Sequence, residues 1–149
     1  PYRRQRQMCI RDRAAPGAEA KAITLTVEPT DLTARFDPKW TAEALYNLVD
    51  NAVKYTPAGG AVTLRAVGYE LFCRVDVTDT GPGIPESEQA RIFQRFYRSP
   101  SASEAEGVGI GLYLARQIAA GQGGYLKVSS RPGEGSTFSL FLPRAEERT

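Results

Sequence analysis

Asn47-Leu48-Val49-Asp50-Asn51-Ala52-Val53-Lys54-Tyr55 is the stretch on which the reading of this chain turns. Leu45, Leu48, Val49, Ala52 and Val53 recur at helical spacing and make one apolar face. Upstream, Asp37-Pro38 is a helix start: the Asp side chain can cap, and Pro fits a first turn that needs no N–H. Downstream, Thr56-Pro57-Ala58-Gly59-Gly60 ends the helix after Tyr55. Beside the apolar face, Glu43, Asn47, Asn51 and Tyr55 recur every fourth residue and rise as one slowly turning stripe. Lys54, three residues after Asn51, neighbours that stripe.

Working outward, Ile23-Thr24-Leu25-Thr26-Val27 alternates with period two, as a half-buried strand does. Thr33 to Phe36 reads as a short second strand. Ala61 to Val67 and Leu71 to Thr78 are strands joined by a turn near Gly68, a hairpin. Pro85 opens a short helix through Ile92, and Arg98 to Glu106 is a polar loop of mobile character. A second main helix starts near Gly109 and ends before Gly121-Gln122-Gly123-Gly124. Tyr125 to Ser130 and Ser136 to Leu142 are strands around the turn Arg131-Pro132-Gly133-Glu134-Gly135. Strands in runs, with few and segregated helices, predict an α+β fold. The expected form is one mixed sheet with helices on one face. No internal repeat is present.

The chain has 149 residues, room for one domain with a real core. Its 42% hydrophobic and 24% charged content is that of an ordinary globular protein. No apolar run approaches the ~20 residues of a membrane span. Two cysteines far apart suggest neither a disulfide framework nor a zinc site. Cys73 falls on the apolar parity of its strand and is expected to be buried. The net charge of +2 is uneven: residues 1–13 carry five arginines against Asp12, leaving −2 for the other 136 residues. Such an arm ordinarily points to nucleic acid or anionic membrane. Met8-Cys9-Ile10-Arg11-Asp12-Arg13, however, resembles the read-through translation of a transposon adaptor from sequencing-library preparation, so residues 1–13 are expected to be a non-native arm, with a genuine basic linker between domains as the alternative. No nucleic-acid partner is expected. The expected division is a linker over 1–22, a domain over 23–143 and a frayed charged tail over 144–149.

Three segments carry chemistry. On the first helix, a neutral Asn carboxamide is a hard oxygen ligand that adds no negative charge beside phosphate. Lys54 can act as a point charge on a phosphate, and Tyr55 can pack against a base. A plain amphipathic helix with a polar flank explains the same residues equally well. The second segment, Asp79-Thr80-Gly81-Pro82-Gly83-Ile84, follows a strand. Asp79 can accept a hydrogen bond from an adenine amino group, and Gly81 and Gly83 allow positive φ and close approach. An ordinary turn is the alternative. The third, Gly107-Val108-Gly109-Ile110-Gly111-Leu112, puts alternate glycines at a helix start, where free N–H groups and the helix dipole favour an anion. It fits neither the dinucleotide fingerprint, since Leu112 stands at its last glycine, nor a Walker-type loop.

Together, in this order and spacing, the segments resemble the N, G1 and G2 boxes of the ATP-binding catalytic domain of bacterial two-component sensor histidine kinases. That superfamily is shared with gyrase, Hsp90-type chaperones and mismatch-repair ATPases. The resemblance covers about Ile23 to Pro143 and implies the Bergerat-type ATP-binding fold, a two-layer α/β sandwich with a mixed, mostly antiparallel sheet backed by about three helices. It implies ATP and Mg2+ as cofactors. It makes Asn51 the magnesium ligand and places Asn47 near the phosphates, with Lys54 and Tyr55 lining the phosphate and base sides. Asp79 would read adenine, with Gly81, Gly83 and Ile84 beside it, and Gly107, Gly109, Gly111 and Leu112 would bracket the triphosphate. Arg91-Ile92-Phe93-Gln94-Arg95-Phe96-Tyr97-Arg98 resembles the F box. There Phe93 and Phe96 would anchor a lid, and Arg95 and Arg98 either reach phosphate or form a solvated basic face. Gly133-Glu134-Gly135-Ser136-Thr137-Phe138 matches the family's closing turn and strand; Thr137 either touches nucleotide or is a bland strand residue.

The resemblance implies a protein histidine kinase activity, with the γ-phosphoryl group passing to a histidine. The chain contains no histidine, so the acceptor is expected on a separate dimerisation hairpin, with a response regulator downstream. The domain is expected in the cytoplasm, and its parent anchored in the bacterial inner membrane. Gln122 stands where the family often has His, before Gly123-Gly124. Hydrolytic relatives have Glu at the position of Asn47, which cannot serve as such a base. The alternatives are an ATP-binding regulatory module or an ATPase of the same superfamily.

Overall fold

The computed structural model describes residues 13–28, 38–94 and 111–143. Residues 13–20 form helix α1. They are followed by β1 (Thr24–Val27), α2 (Pro38–Tyr55), β2 (Ala61–Gly68), β3 (Phe72–Asp79), α3 (Glu86–Gln89), α4 (Gly111–Gly121), β4 (Tyr125–Ser130) and β5 (Ser136–Pro143). The sheet order is β1-β2-β3-β5-β4. β1 runs parallel to β2, a pairing that needs a crossover, and α2 lies in that connection. The other three pairs are antiparallel. The expected mixed, mostly antiparallel α+β sandwich is the observed architecture.

Strand alternation builds the core. Val62 and Leu64, Cys73, Val75 and Val77, and Phe138 and Leu140 turn one sheet face toward the helices and are buried. Leu48, Val49 and Ala52 of α2 and Ala115 and Ala119 of α4 are fully buried among them. Two alanines one turn apart let α4 pack closely on α2. A Schellman motif closes α4: Gly124 N–H bonds Ala119 O at 2.9 Å, Gly123 N–H bonds Ala120 O at 3.1 Å, and Gly123 has φ +78°. The other sheet face carries the Arg74–Asp76–Ser139 polar group and an aromatic row, with Phe72 and Tyr125 each against Phe141.

Two expectations change. Within the segment read as a linker, residues 13–20 are helical. Ala14 and Ala18, one helical turn apart, are buried against the core, and Ile23 N–H bonds Ala18 O at 2.8 Å. Pro16 and Gly17 disfavour a helix by propensity, and tertiary packing overrides them. Arg13, counted with the arm, sits on this helix, pairs with Glu43 and stacks 3.7 Å over the Tyr46 ring. The helix expected from Pro85 to Ile92 is regular only over Glu86–Gln89, with turns continuing to Phe93. The strand at Thr33–Phe36, the Asp37 cap, the loop Arg98–Glu106, residues 1–12 and the tail fall outside the described residues. Among the described residues, no helix is long and apolar enough to cross a membrane.

Candidate nucleotide site

α2 is the spine of the site, and it meets the other two motifs at different heights. At its last residue it meets the loop after β3. A Cβ built on Gly81 would lie 3.1 Å from the Tyr55 carbonyl oxygen and 2.9 Å from Asp79 Oδ1. Two turns earlier it meets the start of α4, where a Cβ on Gly111 would come within 3.8 Å of the Asn47 side chain. Residues 47 and 55 are about 12 Å apart along a helix axis. Asn47, Asn51, Lys54 and Tyr55 are all half-buried, between core and solvent.

The end of α2 is held firmly. Thr56, fully buried, donates its hydroxyl to Ala52 O at 2.7 Å. The Lys21 ammonium donates to Val53 O at 3.0 Å and to Lys54 O, two of the carbonyls a helix end leaves without partners. Lys54 pairs with Asp50 at 2.9 Å, one turn earlier on the same helix. With both side chains more than a third exposed, such a pair is worth only a few tenths of a kcal/mol. It therefore leaves Lys54 available to a stronger anion at little cost.

Asp79 ends β3 in a buried position, 7% exposed. Its Oδ1 accepts the Gly81 N–H at 2.9 Å. Burial pushes the carboxyl pKa above its ordinary value, while backbone hydrogen bonds from Gly81 and Ser136 pull it back down. Glycine at 81 keeps this carboxylate approachable, because any side chain there would displace it. Of the two loop glycines only Gly83 has positive φ, at +78°; Gly81 is required for space and not for a left-handed backbone. The loop lies against the β4–β5 turn. Gly133 N–H donates to Pro82 O at 2.7 Å, and a Cβ on Gly83 would fall 2.0 Å from Arg131 O.

Other expected site residues lie elsewhere. Phe93 is in the core, edge-on to Phe138 at 6.2 Å with the Arg116 guanidinium 5.7 Å above it. Thr137 is on the open face of the sheet, paired with Thr78 at 3.1 Å between hydroxyls. Alternation dictates this: its neighbour Phe138 points into the core, so Thr137 points away from the helices and from Asp79. Ile84 and Leu112 are half-buried and pack on the core. Arg95, Phe96, Arg98, Gly107 and Gly109 are outside the described residues. Ser130, Gln89 and Lys21, which hold the loop and the helix end, carry no motif and were not expected at all.

The donor set suits a magnesium–nucleotide. Among the described residues there is no cluster of His, Cys, Asp or Glu able to hold a bare ion. Asn47 and Asn51 instead offer neutral oxygens, which fits an ion whose other ligands come from phosphate and water. A separate cleft of about 420 Å³ between α2 and α4 is lined by Trp40, Leu114 and Gln122 and shares only Asn47 with these residues.

A helix that touches a carboxylate-bearing loop at one end and a glycine-started helix two turns away is an arrangement suited to a nucleotide-binding α+β domain. The chain matches the family of histidine kinase-, DNA gyrase B- and HSP90-like ATPases over residues 36–146. The adaptive-response sensory kinase SasA of Synechococcus sp. strain JA-3-3Ab is 42% identical over 131 residues, 86% of this chain and 35% of that protein. The sensor protein DivL of Caulobacter vibrioides is 39% identical over 138 residues, 91% of this chain and 17% of that protein. The mycobacterial sensor histidine kinase MprB superposes with a TM-score of 0.81 at 30% identity, over 94% of this chain and 97% of that structure. Full-length ShkA in complex with AMPPNP gives 0.83 at 29% identity, over 97% of this chain and 30% of that structure. The chain thus belongs to this ATPase family, and it is an ATP-binding catalytic domain of the sensor histidine kinase kind. It spans about a third of the length of the SasA protein it matches.

Proposed function

We propose that this domain holds ATP with Mg2+ and donates the γ-phosphoryl group to a histidine outside the chain. The observation that carries the reading is the spacing along α2. Its last residue adjoins Gly81 and the Asp79 carboxylate, and Asn47, about 12 Å away, adjoins Gly111. That separation suits a base at one end and phosphates at the other.

In this reading Asp79 accepts the adenine amino group and Tyr55 flanks the base. The Asn51 carboxamide oxygen ligates the ion, Asn47 lies beside the phosphates, and Lys54 exchanges its weak bond to Asp50 for phosphate. The bound ion would supply charge neutralisation on the phosphates. Gly107, Gly109, Arg95, Phe96 and Arg98 keep their proposed roles on sequence grounds alone. In the transfer, an imidazole nitrogen of the acceptor forms the N–P bond as the bond from phosphorus to the ADP oxygen breaks. Positioning dominates such chemistry, so a base is dispensable where histidine is the nucleophile. Asn47 at the place of a hydrolytic Glu disfavours attack by water.

The partners that follow are a histidine-bearing dimerisation hairpin and, downstream, a response regulator. ATP supply places the domain in the cytoplasm; an inner-membrane anchor for the parent rests on resemblance alone. The test is γ-labelled ATP with the chain alone and then with the parent's own hairpin. The expected result is no labelled chain and slow labelling of the hairpin, because separate pieces lack the effective concentration of a tether. Brisk hydrolysis by the chain alone would move the assignment to the ATPase branch. An unlabelled hairpin despite tight ATP binding would favour a regulatory module.

A further inference from the structure

Ile84 closes the Asp79–Ile84 loop, and both of its backbone groups are held by side chains outside every nucleotide motif. Ser130 Oγ accepts the Ile84 N–H at 2.7 Å and donates its proton to Gly135 O at 2.9 Å. The Ser136 hydroxyl lies 2.8 Å away. With the Ser130 proton committed to Gly135, Ser136 is the donor of that pair, and every bonding position of Ser130 Oγ is filled. Gln89 Nε2 uses its two hydrogens on Ile84 O at 2.9 Å and Ser130 O at 3.0 Å. Gln89 comes from α3, Ser130 from the end of β4, and Ser136 sits opposite Asp79 in the β3–β5 ladder. Residues 80–85 have no regular structure of their own; Thr80 is tied to Ala61 of β2, and the far end of the loop is held by these contacts and by the β4–β5 turn beneath.

We propose that Ser130 and Gln89 are positioning residues for base recognition, fixing where the loop lies beside Asp79 and thereby how well the site distinguishes adenine from other bases. The inference rests on the reading of Asp79 as the adenine acceptor. A merely structural role would lower stability without touching base preference, so the two are separable.

The experiment measures ATP and inosine triphosphate affinity by calorimetry, with urea unfolding in parallel. The proteins are the wild-type chain, Ser130→Ala, Ser130→Thr, Gln89→Glu and the double variant Ser130→Ala/Gln89→Glu. Gln89→Glu keeps the side chain's size but sets a carboxylate oxygen against two carbonyls. Each of the disruptive single variants should bind ATP about three- to tenfold more weakly, as expected for one lost hydrogen bond. Inosine triphosphate, which lacks the amino group, should lose less, so the preference for ATP narrows. Ser130→Thr, keeping the hydroxyl, should hold the wild-type preference. The double variant should lose less than the product of the single losses, because both residues act through Ile84. Folded variants with an unchanged ATP preference overturn the inference, whatever their stability. If Ser130→Ala does not fold, the half-buried Gln89→Glu decides by the same criterion. A wild-type chain that binds no ATP overturns the nucleotide reading itself, and the positioning role with it.

Discussion

Asp79→Asn separates shape from chemistry at the base-reading end of the site. The carboxylate is buried, and the Gly81 N–H already occupies Oδ1 at 2.9 Å. Ser136 backbone hydrogen bonding favours the same charged group. Asparagine supplies one oxygen and one NH2 group in the same space. If its oxygen stays with Gly81, the NH2 group faces an adenine amino group, donor against donor. If it flips, the NH2 group opposes the Gly81 N–H. Loss of one hydrogen bond to a charged group is worth about 1.5–3 kcal/mol, so ATP should bind roughly 10- to 150-fold more weakly. Inosine triphosphate presents a carbonyl at the position of the amino group and can accept from the new NH2 group. Its affinity should hold or rise, and the preference for ATP should shrink or invert. Calorimetric titration of both nucleotides, with circular dichroism to establish folding, is the assay. A folded variant with wild-type ATP affinity would refute the assignment of Asp79.

The same carboxyl sets a pH dependence. Burial raises its folded pKa above the unfolded value of about 3.9, so its contribution to stability is complete below that value and is lost as pH rises through the folded one. Urea unfolding of the wild type and Asp79→Asn from pH 3.5 to 7 should show the wild type losing ground with rising pH, and a difference that stays flat would contradict the shift. Asn51→Ala keeps a good helix former in α2 and should weaken ATP binding in magnesium by on the order of tenfold, with little effect in EDTA. An unaltered magnesium response would make Asn51 a mere surface residue. Gly83→Ala combines positive φ with a Cβ 2.0 Å from Arg131 O and should destabilise the fold by about 2 kcal/mol or more, read by urea midpoint. A midpoint equal to wild type would show that the loop does not rest on that turn.

Much of this architecture is written locally. α2 was legible because Leu45 to Val53 keep helical spacing over about two and a half turns, between an Asp-Pro start signal and a Gly-Gly stop. β2, β3, β4 and β5 were legible because alternation and turn glycines mark them. α1 was not: its buried face is two alanines, too small to stand out, and Pro16 and Gly17 argue against a helix. For Thr137 the sequence left two readings open, because a motif match says which residues neighbour a site in sequence, whereas strand parity decides which side of the sheet they face. The roles of Ser130 and Gln89 arise from hydrogen bonds across 46 and 41 residues, for which a single sequence holds no signal. Asp79 and Asn51 could be singled out from the sequence because an Asp at a strand end before Gly-Pro-Gly, and an Asn stripe beside an apolar helix face, are local patterns.

Titration of the chain with ATP in magnesium is the most direct test of the central claim, that Asp79 and the α2 residue Asn51 belong to one nucleotide site. The account predicts saturable binding of one ATP per chain. Binding should weaken in EDTA, exceed that of inosine triphosphate, and fall with either Asp79→Asn or Asn51→Ala. A folded chain that gives no saturable ATP binding, or binds ATP equally well when both residues are replaced, would contradict it.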